Sequence, residues 1–190
     1  DHKVIGQLFD TYWLIEFDQK LFIMDQHAAH EKVLYERFMK RVNEGKPASQ
    51  QLMPPQIITL TLAAGQVLKD NLDTIVNMGF EIESFGGNEY AVRAVPIELY
   101  GASGKDMIME IIDDLMENPG KVSNETIKGR IATMACKAAV KGNNRLQPAE
   151  VRELVSELMT LDNPYNCPHG RPTMISISKY ELEKKFKRIV

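Results

Sequence analysis

Asp25, His27 and Glu31 stand within seven residues of one another, and all three are metal-binding types: two hard carboxylates and a borderline imidazole. If a helix opens near Ala28, His27 and Glu31 are spaced i, i+4, which brings both side-chain heads to one point. On a wheel of about 100° per residue, Glu31 lies about 40° from His27, on the stripe formed by Leu34, Phe38 and Val42. A carboxylate on a buried stripe is costly unless it is paired or coordinated. Two readings are open: Glu31 pairs with an arginine beside a structural His27, or both are ligands with Asp25.

A second group of candidates lies far along the chain. Cys167 and His169 flank Pro168 on a loop that Gly170 and Pro172 stiffen. A thiolate and an imidazole on a rigid loop suit Zn²⁺, although one intervening residue is not a zinc-finger spacing. Cys136 is either a further soft ligand or a small core residue. Together Asp25, His27, Glu31, Cys136, Cys167 and His169 would furnish a site with more than one metal. Cys and His would hold Zn²⁺, and Asp and Glu would hold Mn²⁺ or Mg²⁺. Two adjacent metals stabilise the attacking and leaving oxygens of a phosphodiester, a common nuclease strategy. A purely structural zinc would instead be closed and four-coordinate.

The elements that must position these residues are legible in outline. Leu8 to Phe17 reads as a strand, a turn comes next at Asp18 to Lys20, and Leu21 to Met24 is a second strand ending at Asp25. A helix runs from about Ala28 to Arg41, and Gly45 to Pro55 reads as a linker rich in breakers. The middle block predicts a helix over Leu62 to Met78 closed by Gly79, and a hairpin of Phe80 to Phe85 and Tyr90 to Val95 around Gly86-Gly87-Asn88. Ser103 to Asp106 then opens a helix in the manner of a capping box. Further helices are expected over Glu125 to Lys141 and from Pro148 to Met159. The Cys167 loop leads into a strand at Met174 to Ser178 and a short final helix. The expectation is an α+β fold of two subdomains. Residues 1–50 and 127–190 would form one, built from both chain ends, and 51–126 an inserted outer subdomain.

Composition narrows the function classes. The chain has 190 residues, 44% hydrophobic and 26% charged, as expected of a globular chain. Its apolar runs are too short for a transmembrane helix. The net charge of −3 argues against strong unaided nucleic-acid binding, and the basic run Lys184 to Arg188 reads as a solvated helix face. Two cysteines without marks of secretion suit metal binding or core packing better than a disulfide. The start, Asp1-His2-Lys3, reads as that of an excised, cytoplasmic fragment. Gly101 to Lys105 is too short for a phosphate loop.

These residues also carry a resemblance. Asp25-Gln26-His27-Ala28, with Glu31 and Glu36, resembles the first motif of the endonuclease domains of MutL mismatch-repair proteins. Ala135-Cys136-Lys137 is similar to a second motif, with Lys in place of Arg. Cys167-Pro168-His169-Gly170-Arg171-Pro172 is similar to a third, and Phe186-Lys187-Arg188 to the ending. The matches run in order across nearly the whole chain. The resemblance implies a homodimer that nicks duplex DNA, with Asp25 and Glu31 catalytic at the metal centre. It also implies an N-terminal ATPase domain absent from this chain, where ATP would bind, the mismatch-recognition protein MutS as partner, and work at the bacterial nucleoid. Arg171 and Lys137 are the expected contacts to DNA phosphate, though Lys lacks the bidentate fork of Arg. Glu36 belongs to the motif, but the wheel turns it towards solvent.

One further segment suggests a partner. Gln50-Gln51-Leu52-Met53-Pro54-Pro55 resembles the short peptide by which repair proteins engage the DNA sliding clamp. Its prolines favour an extended backbone. Gln50 would set the register, and Leu52, Met53 and Pro55 would fill a pocket on the clamp. Alternatively, Leu52 and Met53 staple the segment onto the chain's own surface.

Overall fold

A computed structural model describes residues 2–45, 47–97, 103–117, 124–140, 146–168 and 170–189, without the side chains of 124 and 135–140. The elements, in order, are strands β1 (Lys3–Leu8), β2 (Tyr12–Phe17) and β3 (Lys20–Asp25), helix α1 (Gln26–Asn43), strand β4 (Ser49–Thr59), helices α2 (Leu62–Asp70) and α3 (Leu72–Asn77), strands β5 (Glu81–Gly86) and β6 (Glu89–Pro96), helices α4 (Gly104–Glu117), α5 (Asn124–Val140) and α6 (Pro148–Leu158), strand β7 (Met174–Ser178) and helix α7 (Lys179–Lys185). Helices and two antiparallel sheets make the fold α+β. The chain divides into two compact units, Asp1–Leu34 with Asn143–Val190, and Tyr35–Gly142. Among the described residues no helix is long and apolar enough to cross a membrane.

The first unit is built on a sheet of order β1-β2-β3-β7. Its chain reversals use left-handed pairs, Phe9 and Asp10 (φ +52° and +54°) and Asp18 and Gln19 (φ +46° and +55°). That backbone matches the twist of antiparallel strands. The reversal at Phe9 breaks the single strand expected over Leu8 to Phe17. A phenylalanine carries no turn signal, and here it is 84% exposed.

Register sorts the side chains by face. Trp13, Met24 and Met174 lie in one row across the strands, and Ile15 and Phe22 in the next. This face packs with Ala29 and Val33 of α1 and with Val151, Leu154, Val155 and Leu158 of α6. Each such buried aliphatic side chain contributes about 1.5–3 kcal/mol relative to exposure. The opposite face carries Leu14, Ile23 and Ile175 in one row, and Leu21 and Ile177 in another. These are half-buried apart from Ile175, which is exposed, as are Ile5, Leu8 and Tyr12 on the flanking strands.

The second unit centres on a sheet of order β4-β6-β5. Ile58, Phe80, Val92 and Val95 pack there with Leu68 of α2, Ile108 and Ile112 of α4, and Ile127 and Ile131 of α5. Gly104 opens α4 where a Cβ would come within 2.6 Å of Val95, so the helix start approaches β6 more closely than any side chain allows. Asn71 splits the expected single helix into α2 and α3; its side chain donates to the Val67 carbonyl at 2.8 Å. Gly79 closes α3 at φ +100° as expected.

The segment expected as a linker is strand β4. Gln50 and Gln51 pair with Val95 and Ala94, and Gln56 to Thr59 pair with Val92 to Glu89. Between these stretches the register shifts, so Leu52 to Pro55 form a bulge on an edge strand. Prolines are tolerated there because no ladder donor is required of them.

Candidate metal centre

Asp25 stands where β3 becomes α1. Its Oδ1 accepts hydrogen bonds from the His27 and Ala28 amides at 2.9 and 3.0 Å. That is the N-cap arrangement, satisfying two of the amides a helix start leaves unpaired. Gln26 begins the helix buried, and its Oε1 accepts from the Trp13 indole N–H at 2.9 Å and the Gln7 amide at 3.3 Å. These contacts set the phase of α1. Glu31 is consequently 7% exposed on the core-facing side, as the wheel requires, and His27 is half-buried. Lys32 is buried as well, which the wheel did not show. Glu36, expected in solvent, is half-buried; a wheel treats only one face as covered.

The loop from Tyr165 to Thr173 closes on itself. Thr173 N–H donates to the Tyr165 carbonyl at 2.9 Å, Asn166 bridges Pro172, and Cys167 N–H donates to the Arg171 carbonyl at 2.8 Å. Gly170 turns the tip at φ +77° and donates to the Cys167 carbonyl at 2.9 Å. Thr173 is fully buried, and its hydroxyl donates to the Pro164 carbonyl. The Thr173 carbonyl accepts from Asp25 N–H at 2.9 Å. The loop is therefore joined to the start of α1 by backbone, not only by side chains.

Arg171 makes the second connection. Its Nη2 donates to Glu31 Oε2 at 2.7 Å across 140 residues of sequence. Glu31 thus has the arginine partner that was one of its two sequence readings. The same guanidinium meets the thiol of Cys167, which is 4% exposed. The thiol contact first, then the Glu31 charge and hydrogen bond, raise the Arg171 pKa above its ordinary value. The Arg171 side chain is itself 58% exposed.

The structure therefore places Asp25, His27, Glu31, Cys167 and Arg171 in one unit and joins Glu31 and Cys167 through Arg171. Among the described residues no three His, Cys, Asp or Glu side chains form a group that would hold an ion. His169 and the side chains of Cys136 and Lys137 lie outside the described residues. The donor chemistry suits a cation all the same: a buried carboxylate and a buried thiol already share one positive group. Gln26 was read only as a member of the first motif, and Thr173 and Trp13, which also hold the site's frame, were not found from sequence. Nothing in their types or spacing marks them.

The MutL C-terminal dimerisation domain family matches residues 5–146. The chain belongs to that family. It is 52% identical over 188 residues to DNA mismatch repair protein MutL of Agathobacter rectalis, covering 99% of this chain and 29% of that protein. The MutL proteins of Clostridium botulinum (strain Kyoto / Type A2) and Clostridium beijerinckii are 44% and 40% identical over 189 and 187 residues, 100% and 98% of this chain and 28% of each relative. The chain thus spans under a third of the length of these relatives.

The cap generates a first prediction. Asp25→Ala removes the acceptor for two amides and should cost about 1 kcal/mol of stability, whereas Asp25→Asn retains a good cap and should cost far less. Urea unfolding of the two variants checks the difference. Equal losses would show that the Asp25 contacts do not cap α1.

Proposed function

We propose that this domain self-associates and acts within a MutL mismatch-repair protein as a metal-dependent endonuclease that nicks duplex DNA. The observation that carries the reading is the junction of Glu31 with the Cys167–Pro172 loop, through Arg171 and through the Asp25 to Thr173 hydrogen bond. Two stretches at opposite ends of the chain, each suited to metal binding, meet at one place. Glu31, Cys167, His27 and Asp25 would hold the ion, with His169 as the remaining candidate of the same unit. Bound Mn²⁺ or Mg²⁺ would supply Lewis-acid stabilisation of charge on the phosphodiester, beside a structural Zn²⁺. The residues of the chain set its surroundings. Asp25 commits one oxygen to the helix cap, and Glu31 sits where water is scarce and a charge interacts strongly. Arg171, expected at DNA phosphate, is engaged with Glu31 and Cys167 while still largely exposed. Control by ATP in the N-terminal domain, and work with MutS at the nucleoid, belong to the same proposal for the whole protein.

A dimerisation domain needs a face to present to its copy. The apolar outer face of the first sheet, with Ile23 and Ile175 in its central row, supports that role. Its margin is polar, with Lys3 and Glu16 paired at 3.5 Å, the pattern of an apolar interface core inside a charged rim.

A clamp-binding role rests on a separate observation. In the β4 bulge Met53 is 93% exposed, whereas Leu52 packs partly against the unit's own core. One apolar side chain thus staples the segment and the next projects from it, which fits a docking peptide held ready on a sheet edge.

Each of these roles has its own test. With Mn²⁺ and supercoiled plasmid, Glu31→Gln and Asp25→Asn should lower nicking by about a hundredfold with unchanged circular dichroism; wild-type rates in either variant remove that residue from the active centre. Joint Ile23→Glu and Ile175→Glu substitution should halve the mass seen by light scattering, and a surviving dimer would place the interface elsewhere. Changing Gln50 and Met53 to Ala should abolish stimulation of nicking by the sliding clamp; undiminished stimulation leaves the bulge without that partner.

A further inference from the structure

The Arg171 contacts bear on how the proposed site takes up its ion, and their meaning rests on the metal-site reading. Glu31 Oε2 receives the guanidinium at 2.7 Å, and the Cys167 thiol meets the same group. Both are candidate ligands, and both are buried. Arg171 differs: its side chain is largely exposed, on a loop whose fold is fixed by backbone bonds and not by this contact. The guanidinium can itself move into water at small cost, and the incoming cation then takes over the neutralisation of the buried carboxylate. Glu31 cannot follow it into solvent.

We infer that Arg171 is a built-in competitor for the metal, a positive group that neutralises Glu31 and engages Cys167 and must be displaced or shared before a divalent cation binds them. Three features support this. The guanidinium is always charged, so its repulsion of a cation persists at every physiological pH. Its Nη2 is held by the Glu31 carboxylate at 2.7 Å, and the Cys167 thiol acts on the same guanidinium. The burial of the carboxylate and thiol makes the competition strong, since charges there are poorly screened. The consequence is a site that keeps its ligands assembled yet binds metal more weakly than those ligands alone would. A group of this kind guards a DNA-cutting centre against loading until another anion draws the arginine away.

The experiment compares wild type with Arg171→Gln, which removes the charge, and Arg171→Lys, which keeps it. Zn²⁺ and Mn²⁺ affinities are measured by titration against a competing chelator, with no DNA present. A neighbouring charge shifts a binding equilibrium by roughly one to three orders of magnitude. Arg171→Gln should therefore bind about tenfold tighter or more, with Arg171→Lys close to wild type. If Arg171 were only a structural brace, its loss would loosen the loop and weaken binding. Equal or weaker binding by Arg171→Gln, with wild type binding normally, overturns the inference and leaves the metal site standing. If no form binds metal, the metal-site reading fails and takes the inference with it. A second readout does not depend on a variant folding: in wild type, Zn²⁺ should raise the reactivity of Arg171 towards phenylglyoxal, followed by peptide mass spectrometry. Reactivity that Zn²⁺ leaves unchanged or lowers counts against displacement.

Discussion

A carboxylate buried on the inner face of α1 sets the terms for the first unit. A charge on Glu31 needs a cation beside it, and Arg171 arrives from 140 residues away to supply one. Bringing it in requires the Tyr165–Thr173 loop to hold one shape, and that shape is made by main-chain bonds. Gly170 supplies the left-handed turn, Cys167 and Arg171 pair through the backbone, and the buried hydroxyl of Thr173 locks the base to Pro164. The Thr173 carbonyl then fixes the loop to Asp25, the residue that caps the same helix. Cap, loop and ion pair are thus parts of one closed circuit, in which each link restricts the next.

The sheet beneath that circuit is apolar on both faces, which is unusual for an antiparallel sheet with one side on the core. A one-residue slip between strands would exchange the two faces. The left-handed pairs at Phe9-Asp10 and Asp18-Gln19 fix the register of β2 against both neighbours. The Trp13 to Gln26 hydrogen bond adds a polar reference point inside the core, where a misplaced indole N–H would lose its partner. Precision on the inner face therefore determines what the outer face displays. Ile23 and Ile175 stand side by side outside because Met24 and Met174 stand side by side within.

Much of this could be read from residues alone, and the failures have physical causes. The i, i+4 spacing of His27 and Glu31 located the buried face of α1, because helical periodicity is intrinsic to the backbone. The loop was legible through Pro168, Gly170 and Pro172, whose restricted or permissive backbones mark a turn in any context. By contrast, the reversal at Phe9 was hidden because the sheet imposes a conformation that phenylalanine seldom chooses. Strand β4 was mistaken for a linker because Pro54 and Pro55 signal a break. Only the β6 partner shows that the break is confined to a bulge, with paired residues on either side. The Arg171 to Glu31 pairing was open in advance as one of two meanings of a buried glutamate. Its particular partner depends on tertiary closure, which no local pattern encodes.

Electrostatics connects these features to the work proposed for the domain. A chain of net charge −3 repels a phosphate backbone, and a centre built from carboxylates adds to the repulsion at the point where DNA would have to approach. Arg171 partly offsets it, but only while it remains bound to the groups that a catalytic ion would need. In the proposed site, loading the ion would replace one positive group with a doubly charged one and would free a guanidinium whose planar fork suits phosphate. The local field would then change from neutralised to attractive. Even so, an ion or two cannot supply the many phosphate contacts on which free-standing affinity depends. Tethering would make such contacts unnecessary, because a domain held on a partner that encircles DNA meets its substrate at high effective concentration. In the proposed function, the projecting Met53 on a sheet edge and the apolar outer face of the first sheet would be the means of acquiring that tether. The acidity of the domain would then suit the proposed nuclease to cut only where other proteins have placed it.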